Sequence, residues 1–470
     1  MADLFSILSN ASSSLAAQQA AMAVTSNNLQ NAATPGYARQ RAELLTRPAE
    51  LVSGGAWVGR GVTLGAVTQV RDQFIESQVP ASIANAASSD AEATALSAIH
   101  TFDPAQSGGV GDAISGFYSA LRALSQNPGD SGLREAALGA SQSLAAAFNQ
   151  ASRDVETART GLDDQAVNLT GQINALAKQM ADLNTQVRQA RASGGEPNDL
   201  LDARQQVLDQ LASLVGGQPV TSTGGDVNVM MGGGVALVSG GVPGVFSSQP
   251  DPNNRGHLQL LYASPLGTPA APLANSVAGG QLGGTLAARD GALGKASTQL
   301  DTLAFDLANQ VNAVHQAGYG ADGVTGRPLF AVGATSAGAA STIAISAAVG
   351  TNAGALAAAG AATAASGDAD NVQALLATEQ QALPTSGLDA TRTLSSITSS
   401  FGIASAQATS LSKQDAALRD NVKALRESAS GVSVDEELVN MQKTQRAYEA
   451  IARVLQTSSD MLDVLMKLGS

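Results

Sequence analysis

Both ends of the chain carry heptad patterns, and these constrain the fold more than any other feature. Near the N-terminus, alternating steps of four and three residues select Leu4, Leu8, Ala11, Leu15, Gln18, Met22, Thr25 and Leu29. Near the C-terminus the same steps select Val434, Leu438, Met441, Gln445, Tyr448, Ala452, Leu455, Ser459, Leu462 and Met466. Such spacing predicts two long helices, each packed against another helix.

Local signals predict where these two helices end and begin. The N-terminal helix should stop before Pro35 and Gly36, because proline cannot continue a helix and glycine tolerates the turn. Ser433 and Glu436 form a capping box at the start of the C-terminal helix. The helices would then contain roughly 26 and 34 residues and extend about 40 to 50 Å.

The two seams contain too few large apolar residues to stabilise an isolated pair of helices. The first 38 residues contain one charged side chain, Asp3, and three of the eight N-terminal seam positions are small or polar. A helix with few charges outside and few large apolar residues inside is best stabilised by neighbours on several sides, as in a packed polymer. The alternative is an ordinary amphipathic pair on a single core.

The chain between the ends alternates between helical and β-rich composition, which predicts a mainly α fold with smaller β-rich modules. Residues 1–40 and 430–470 would be terminal coiled-coil segments that form the core of a polymer. Residues 41–215, 283–330 and 391–429 would form a helical rod domain with a short β-hairpin near 40–70, whose turn is placed at Gly54 and Gly55. Residues 216–282 would form a small β-rich outer module.

Residues 331–390 form an Ala/Gly-rich variable segment with one predicted strand at 342–346. Because the helical pattern stops before this segment and resumes after it, we expect the segment to lie outside the helical body. Its first 40 residues, 331–370, should then be replaceable by a Gly/Ser linker.

Composition argues for an interaction protein rather than an enzyme. The chain has no cysteine and three histidines (His100, His257 and His315), and none of the three lies in a metal-ligand or catalytic pattern. The G-x-G-x-x-G match at residues 318–323 follows a helix instead of a strand, so a turn is favoured over a phosphate site. We therefore expect no catalytic, cofactor-binding or metal-binding residue.

Charge and hydropathy also limit the partners. A net charge of −13 argues against nucleic acid. The longest apolar stretch, near residues 347–365, consists mostly of alanine, glycine and threonine, which predicts no membrane insertion. No lysine or arginine precedes Arg39, so the basic start of a cleaved secretory signal is not expected.

Short motifs along the chain resemble the FlgK family of bacterial flagellar hook-associated proteins. At the N-terminus these are NNLQN at residues 27–31 and TPGYARQ at 34–40, and at the C-terminus QRAYEA at 445–450 and MLDVL at 461–465. Interior segments that resemble the same family are NDLLDAR at 198–204, GGTLAARD at 283–290 and VNAVH at 311–315. The order and spacing of the motifs together make the resemblance specific.

The resemblance implies an elongated, multidomain axial protein at the hook–filament junction of the flagellum. Its N- and C-terminal helices would pair as a coiled coil that lines the tube. The implied partners are further copies of the chain, the hook protein, the second hook-associated protein and filament, and an export chaperone at the C-terminal region. Type III export without a cleaved signal would place the protein outside the cell.

The candidate assembly residues fall into two groups. The seam group consists of Leu4, Leu8, Leu15, Met22, Leu438, Met441, Tyr448, Leu455, Leu462 and Met466. The connector group consists of Asn27, Asn28, Asn31, Pro35, Gly36, Tyr37, Arg39 and Gln40. For the asparagines, a local role in the turn and a direct contact between subunits both remain open.

Two other functions remain open from the sequence. The chain could be another flagellar axial protein, either the second hook-associated protein or a rod or hook subunit. Alternatively, an enzyme could be inserted in 216–282 or 331–390, although both segments are short and neither carries a histidine–carboxylate cluster.

Overall fold

The computed structural model describes residues 2–51, 55–102, 108–222, 224–364 and 367–468, most of which are helical. The first half of the chain contains α1 (Ala2–Gln30), β1 (Gln40–Thr46), β2 (Glu50–Leu51), β3 (Trp57–Val58), β4 (Val62–Gln69), α2 (Gln73–Ser97), α3 (Val110–Gln126), α4 (Ser131–Ala192) and α5 (Asn198–Val215). The predicted N-terminal helix and the helical stretch up to residue 215 are thus confirmed.

The second half begins with strands and returns to helices. It contains β5 (Gln218–Thr221), β6 (Val227–Met230), β7 (Ala236–Ser239), β8 (Val242–Pro243), β9 (Val245–Pro250), β10 (Leu258–Ala263), β11 (Ala271–Pro272), α6 (Gly280–Leu286), a π-helical segment (Ala287–Leu293), α7 (Gly294–Ala317), β12 (Phe330–Ala331), α8 (Ala339–Thr342), β13 (Ala344–Ile345), α9 (Asp370–Ala377), α10 (Ala390–Ser430) and α11 (Val434–Leu468). The fold class, mainly α with small β modules, is confirmed.

The predicted hairpin near residues 40–70 is present. Strands β1 and β4 pair antiparallel from Gln40 opposite Gln69 to Thr46 opposite Val62, and β2 pairs with β3 farther along the hairpin. The predicted turn at Gly54 lies outside the described residues. The strand predicted at 342–346 is shorter than expected: β13 pairs with β12 over two residues.

The rod is built on α4, which has 62 residues and is about 90 Å long at 1.5 Å per residue. One half of α4 packs in a core with α3, α7 and the segment after residue 331, around Phe117, Phe148 and Leu300. The other half packs with α5 and the strands of 218–263, around Met180 and Leu237. Two cores along one helix give the described part of the chain its elongated form.

The alanine-rich segment 331–370 belongs to the rod core, which corrects the expectation that it lies outside the helical body. Its buried apolar residues are Ala339, Ala340, Ile343, Val349, Ala355, Leu356, Ala357, Ala358 and Ala359. Most of them share a core cluster with the rod helices. The prediction from composition was wrong because an alanine-rich segment can be either an exposed loop or a closely packed part of a core, and composition does not distinguish the two.

Polar side chains of the rod bind the backbone of this segment. Asn312 donates to the carbonyl oxygen of Phe330 and accepts from its N–H, both at 2.8 Å. The Nε2 atom of His315 accepts from the N–H of Ala357 at 2.9 Å, and Arg134 donates to the carbonyl oxygen of Leu356 at 2.8 Å. The VNAVH motif therefore holds irregular backbone in place, which is a structural role.

His315 should make the stability of the rod sensitive to acid. It is fully buried, its Nδ1 donates to the carbonyl oxygen of Arg327 at 2.7 Å, and its Nε2 must stay unprotonated to accept from Ala357. Burial, helped by the charge of Arg327, lowers the pKa of His315 below its ordinary value of 6.5. Stability from the neutral ring is then fully present above pH 6.5 and is lost as the pH falls below it.

The test compares the wild-type chain with His315→Gln in urea unfolding between pH 8 and pH 5. The wild-type free energy of unfolding should fall more steeply below about pH 6.5 than that of the variant. Other titrating groups are common to both chains, so the difference isolates His315. Parallel pH profiles would contradict the assignment.

Candidate assembly site

Asn28, on the last turn of α1, joins three parts of the chain. Its amide nitrogen donates to the carbonyl oxygen of Gln40 at 2.8 Å and to Oε2 of Glu437 at 3.2 Å. Its amide oxygen accepts from the N–H of Gln40 at 2.9 Å and from the hydroxyl of Tyr37 at 2.8 Å. The amide thus uses two donors and two acceptor positions, and it is buried. One side chain ties α1, β1 and α11 together.

Glu437, on the first turn of α11, is the charged centre of this joint. Its side chain is 3% exposed, and Arg39 Nε donates to its Oε1 at 2.8 Å. The same guanidinium donates to Glu436 at 2.8 Å, and the backbone N–H of Arg39 donates to the carbonyl oxygen of Ser430. A buried carboxylate is tolerated only when it is paired and hydrogen-bonded, and both conditions hold here.

Tyr37 and the turn before it fasten the joint to the rod. Burial raises the pKa of Tyr37 to about 12, and Asp202, Asp199 and Glu437 act in the same direction. The hydroxyl therefore stays protonated and can donate to Asn28. Gly36 has a φ of 80°, which favours glycine, and Gln206 of α5 donates to the carbonyl oxygen of Pro35 at 2.9 Å.

The connector residues predicted from the sequence divide into two groups. Asn28, Tyr37, Arg39 and Gln40 meet in the joint. Asn31 instead donates to the backbone oxygen and to the side-chain oxygen of Asn27, at 3.0 and 2.6 Å. These are local bonds that satisfy acceptors at the C-terminal end of α1. Pro35, Gly36 and Asn27 are exposed. A contact of these residues with another subunit stays a prediction.

The terminal helices α1 and α11 pack against each other in antiparallel orientation. Glu437 lies beside Asn28, and Tyr448 lies near Gln19, whose amide nitrogen is 3.5 Å from the tyrosine hydroxyl. The seam residues that are buried or half-buried are Leu4, Leu8, Leu15, Met22, Met441, Tyr448, Leu455 and Leu462. Their inclusion in an assembly interface stays a prediction.

The C-terminal seam is partly displaced from its predicted position. Leu438 and Met466 are exposed, at 43% and 64%, instead of facing α1. The four-and-three spacing that starts at Val434 is off by one residue at every second step: it selects Leu438, for example, where the structure turns Glu437 inward. The polar bonds of Glu437 fix this rotation of the helix. The buried or half-buried face alternates Met441, Tyr448, Leu455 and Leu462 with Glu437, Thr444, Ile451 and Ser458.

Sequence analysis missed Glu437 and the rod residues that contact the connector. At the start of α11 the sequence pattern selects Ser433 and Glu436, as a capping box, and not Glu437. Asp202 belongs to the NDLLDAR segment, and its carboxylate accepts from Arg71 at 2.6 Å and from Gln69 at 2.9 Å. Glu437 lies four residues before Met441 and so fits a heptad position of the seam. A carboxylate at a seam position was the sequence signal that could have indicated a buried polar contact.

Glu437 variants should separate charge from packing at the joint. Replacement by alanine leaves Arg39 half-paired and one Asn28 donor without its acceptor, so we expect a loss of about 3 kcal/mol in local stability. Glu437→Gln keeps the shape and should cost less. Amide hydrogen exchange at residues 24–46 and 434–445 measures the effect. Glu436→Ala is the matched control, because Glu436 is exposed and contacts the same arginine.

Two further kinds of site are absent from the described residues. They contain no group of three or more His, Asp and Glu side chains that could hold a metal ion. Within the same residues no helix is both long and apolar enough to cross a membrane. His257 is buried in a network with Asp163, which accepts from His257 Nδ1 at 2.7 Å and also from Arg289. This network joins α4 to the β strands and the π-helical segment.

Comparisons with known proteins match three separate regions. The model of the flagellar hook-associated protein FlgK helical domain matches residues 98–330. A flagella basal body rod protein model matches residues 8–37, and the flagellar basal body rod FlgEFG protein C-terminal model matches 426–468. Flagellar hook-associated protein 1 of Salmonella typhimurium is 30% identical over 335 residues. The chain belongs to the FlgK family.

Coverage differs among FlgK relatives. The Salmonella alignment covers 70% of this chain and 60% of the relative's length. Flagellar hook-associated protein 1 of Bacillus subtilis is 26% identical, and the alignment covers 98% of both chains. The structure of the flagellar hook junction protein FlgK from Burkholderia pseudomallei has a TM-score of 0.50 at 31% identity, covering 55% of this chain and 47% of that one. The joint residues lie in and beside the terminal regions that the rod-protein models match.

Proposed function

We propose that this chain is a structural, non-enzymatic component of the bacterial flagellum that helps to form the junction between hook and filament. The match of the FlgK helical-domain model over residues 98–330 carries the junction role, and the pairing of the two chain ends supports an axial, structural role. Asn28 and Glu437, 409 residues apart, meet at the base of one helix pair. A chain that closes on itself at its ends can present one helix pair to its neighbours and keep its rod outside.

The open side of this pair supports self-assembly. Residues of α11 that are large, apolar and exposed are Val434, Leu438, Val439, Val454, Met461, Val464, Leu465 and Met466. Large apolar side chains that are exposed along one helix mark an interaction site. Copies arranged around an axis would cover these residues, with α1 and α11 pairing as a coiled coil that lines a tube.

The partners follow from the family. The Salmonella and Bacillus relatives are named flagellar hook-associated protein 1, and the Burkholderia relative is called a hook junction protein. By analogy, the partners are the hook protein on one side and the second hook-associated protein and filament on the other. An export chaperone would bind the C-terminal region, and export without a cleaved signal would place the protein outside the cell.

Another axial protein is the second candidate. The rod-protein models match both ends of the chain, at 8–37 and 426–468, so the terminal pair alone would suit any axial subunit. The match of the FlgK helical-domain model over residues 98–330 favours the junction protein.

Deletion of the gene tests the proposal. The mutant should build hooks of normal length and release flagellin into the medium, because filament subunits then have no base to hold them. Electron microscopy counts hooks and filaments, and immunoblots compare flagellin in medium and cells. Expression of the chain from a plasmid should restore attachment. Filaments attached to hooks in the uncomplemented mutant would refute a junction role, and absence of hooks would favour a rod or hook subunit.

A further inference from the structure

A cleft of about 670 Å³ lies where the rod meets the β5–β6 strands and the base of the β1–β4 hairpin. Its wall is formed by the end of β4 and the start of α2, by α4 and α5, and by β5 and β6. Three arginines line this cleft: Arg71 before α2, Arg191 near the end of α4, and Arg204 in α5. The partners of each guanidinium group decide whether its charge is already used within the protein.

Two of the three arginines are paired with carboxylates. Arg71 donates to Asp202 at 2.6 Å and to Glu76 at 3.2 Å. Arg191 lies 3.3 Å from Glu196. Glu76 and Glu196 line the cleft together with the arginines that they contact. The cleft therefore gains no net positive charge from Arg71 and Arg191.

Arg204, in contrast, bonds only to neutral oxygens. Its Nη1 donates to the carbonyl oxygen of Gly225 at 3.1 Å and to Oδ1 of Asn184 at 3.4 Å. Among the described residues, no carboxylate forms an ion pair with it. The side chain is half-buried, so its charge is neither paired nor fully solvated.

The remaining nitrogen atoms of Arg204 form a fork. Nε and Nη2 donate to no described residue, and neither atom is sealed inside the core. Their N–H bonds lie on one edge of the planar guanidinium and point in the same direction, which matches the two oxygens of a carboxylate or phosphate. Arg204 is thus held in place through Nη1, while its bidentate edge is open to a ligand.

The electrostatics of Arg204 favour an anion. Burial, helped by the charges of Arg191 and Arg71, lowers the pKa of Arg204 to about 10. Asp226 acts in the opposite direction, but it is itself bonded to Arg188 at 2.6 Å. The guanidinium therefore keeps its charge at neutral pH in a site where that charge is poorly solvated. Because such a charge costs free energy unless it is paired, an anion at the fork would stabilise it.

We propose that the cleft binds a carboxylate or phosphate anion, with two of the anion's oxygens on Nε and Nη2 of Arg204. Gln73 and Thr221 line the same cleft, and their side chains form no hydrogen bond with the described residues, so both can donate to the anion. The anion is either a free ion or an acidic side chain of a neighbouring protein, because both present the same pair of oxygens. The site is independent of the junction role.

Isothermal titration calorimetry of the purified full chain tests the site, with inorganic phosphate and acetate as probes at pH 7 and constant ionic strength. One saturable site is expected for at least one probe. Arg204→Lys keeps the charge but loses the fork, and Arg204→Gln loses both, so each should bind at least about 10-fold more weakly. Arg153→Gln is the matched control, because Arg153 is exposed on α4 and also bonds to a neutral oxygen, that of Gln150.

Urea unfolding of each variant shows that the chain is folded before affinities are compared. Arg204→Lys can still donate to Gly225, so it carries the test if Arg204→Gln does not fold. The proposal is overturned if neither probe gives a saturable site, or if the folded Arg204 variants bind as tightly as the wild-type chain. Equal weakening by Arg153→Gln would also overturn it, because binding would then reflect net charge alone.

Flagellated cells that carry Arg204→Lys distinguish the two sources of the anion once binding has been shown. Release of flagellin into the medium, with hooks complete, would assign the anion to an acidic side chain of a neighbouring protein. Filaments that stay attached would assign it to a free ion. Either result leaves the junction role to be judged by deletion of the gene.

Discussion

Replacement of residues 331–370 by a short Gly/Ser linker is expected to unfold the rod. The segment buries Ile343, Val349 and Leu356 completely or nearly so, together with several alanines. Loss of that apolar contact and of the backbone bonds to Asn312, His315 and Arg134 amounts to about 10 kcal/mol. Single domains have a total stability of roughly 5 to 15 kcal/mol, so little would remain.

Thermal and urea unfolding of the purified chain measure this effect, and limited proteolysis shows whether 110–330 stays folded. The matched control replaces residues 264–270 with the same linker, because that loop between β10 and β11 is mostly exposed. The control should unfold within about 1 kcal/mol of the wild-type chain. A cooperative transition of normal midpoint in the 331–370 variant would restore the view that the segment is a dispensable insertion.

The failure over 331–370 shows what composition leaves undetermined. Alanine, glycine and threonine predict a loop when they are read locally, because they lack large apolar side chains. Whether Ala355–Ala359 lie in a core depends on His315 and Arg134, which bind the backbone of that stretch from distant helices. Heptad and helical periods, in contrast, are local, so α1 and α11 were predicted to within a few residues.

The candidate site divides in the same way. Asn28, Tyr37, Arg39 and Gln40 could be selected because they form a short motif. Glu437, the partner of Asn28 and Arg39, lies 409 residues from Asn28, and no local sequence pattern indicates this contact. The face that α11 turns to α1 follows from this polar partner, and therefore Leu438 was placed on the wrong side of the helix. Polar bonds that fix the rotation of a helix are not visible in its hydrophobic pattern.

Leu455→Asp is expected to abolish junction assembly, whereas Leu438→Asp should leave the helix pair of the monomer intact. Leu455 is half-buried on the face that α11 turns to α1, and a carboxylate costs several kcal/mol when it is buried there without a paired cation. The pair has few large apolar residues, so this loss should separate the helices. Amide exchange across residues 4–29 should become fast in Leu455→Asp and stay as in wild type in Leu438→Asp.

The cellular measurement then distinguishes the inner face of α11 from its outer face. With Leu455→Asp, flagellin should appear in the medium while hooks are complete, and the variant itself should also be found outside the cell if export is preserved. Leu438→Asp places a charge on an exposed position. Release of flagellin by this variant, with its helix pair intact, would therefore assign the outer face of α11 to contacts between copies. Normal motility with Leu455→Asp would mean that the pairing of α1 with α11 is not required in the assembled junction.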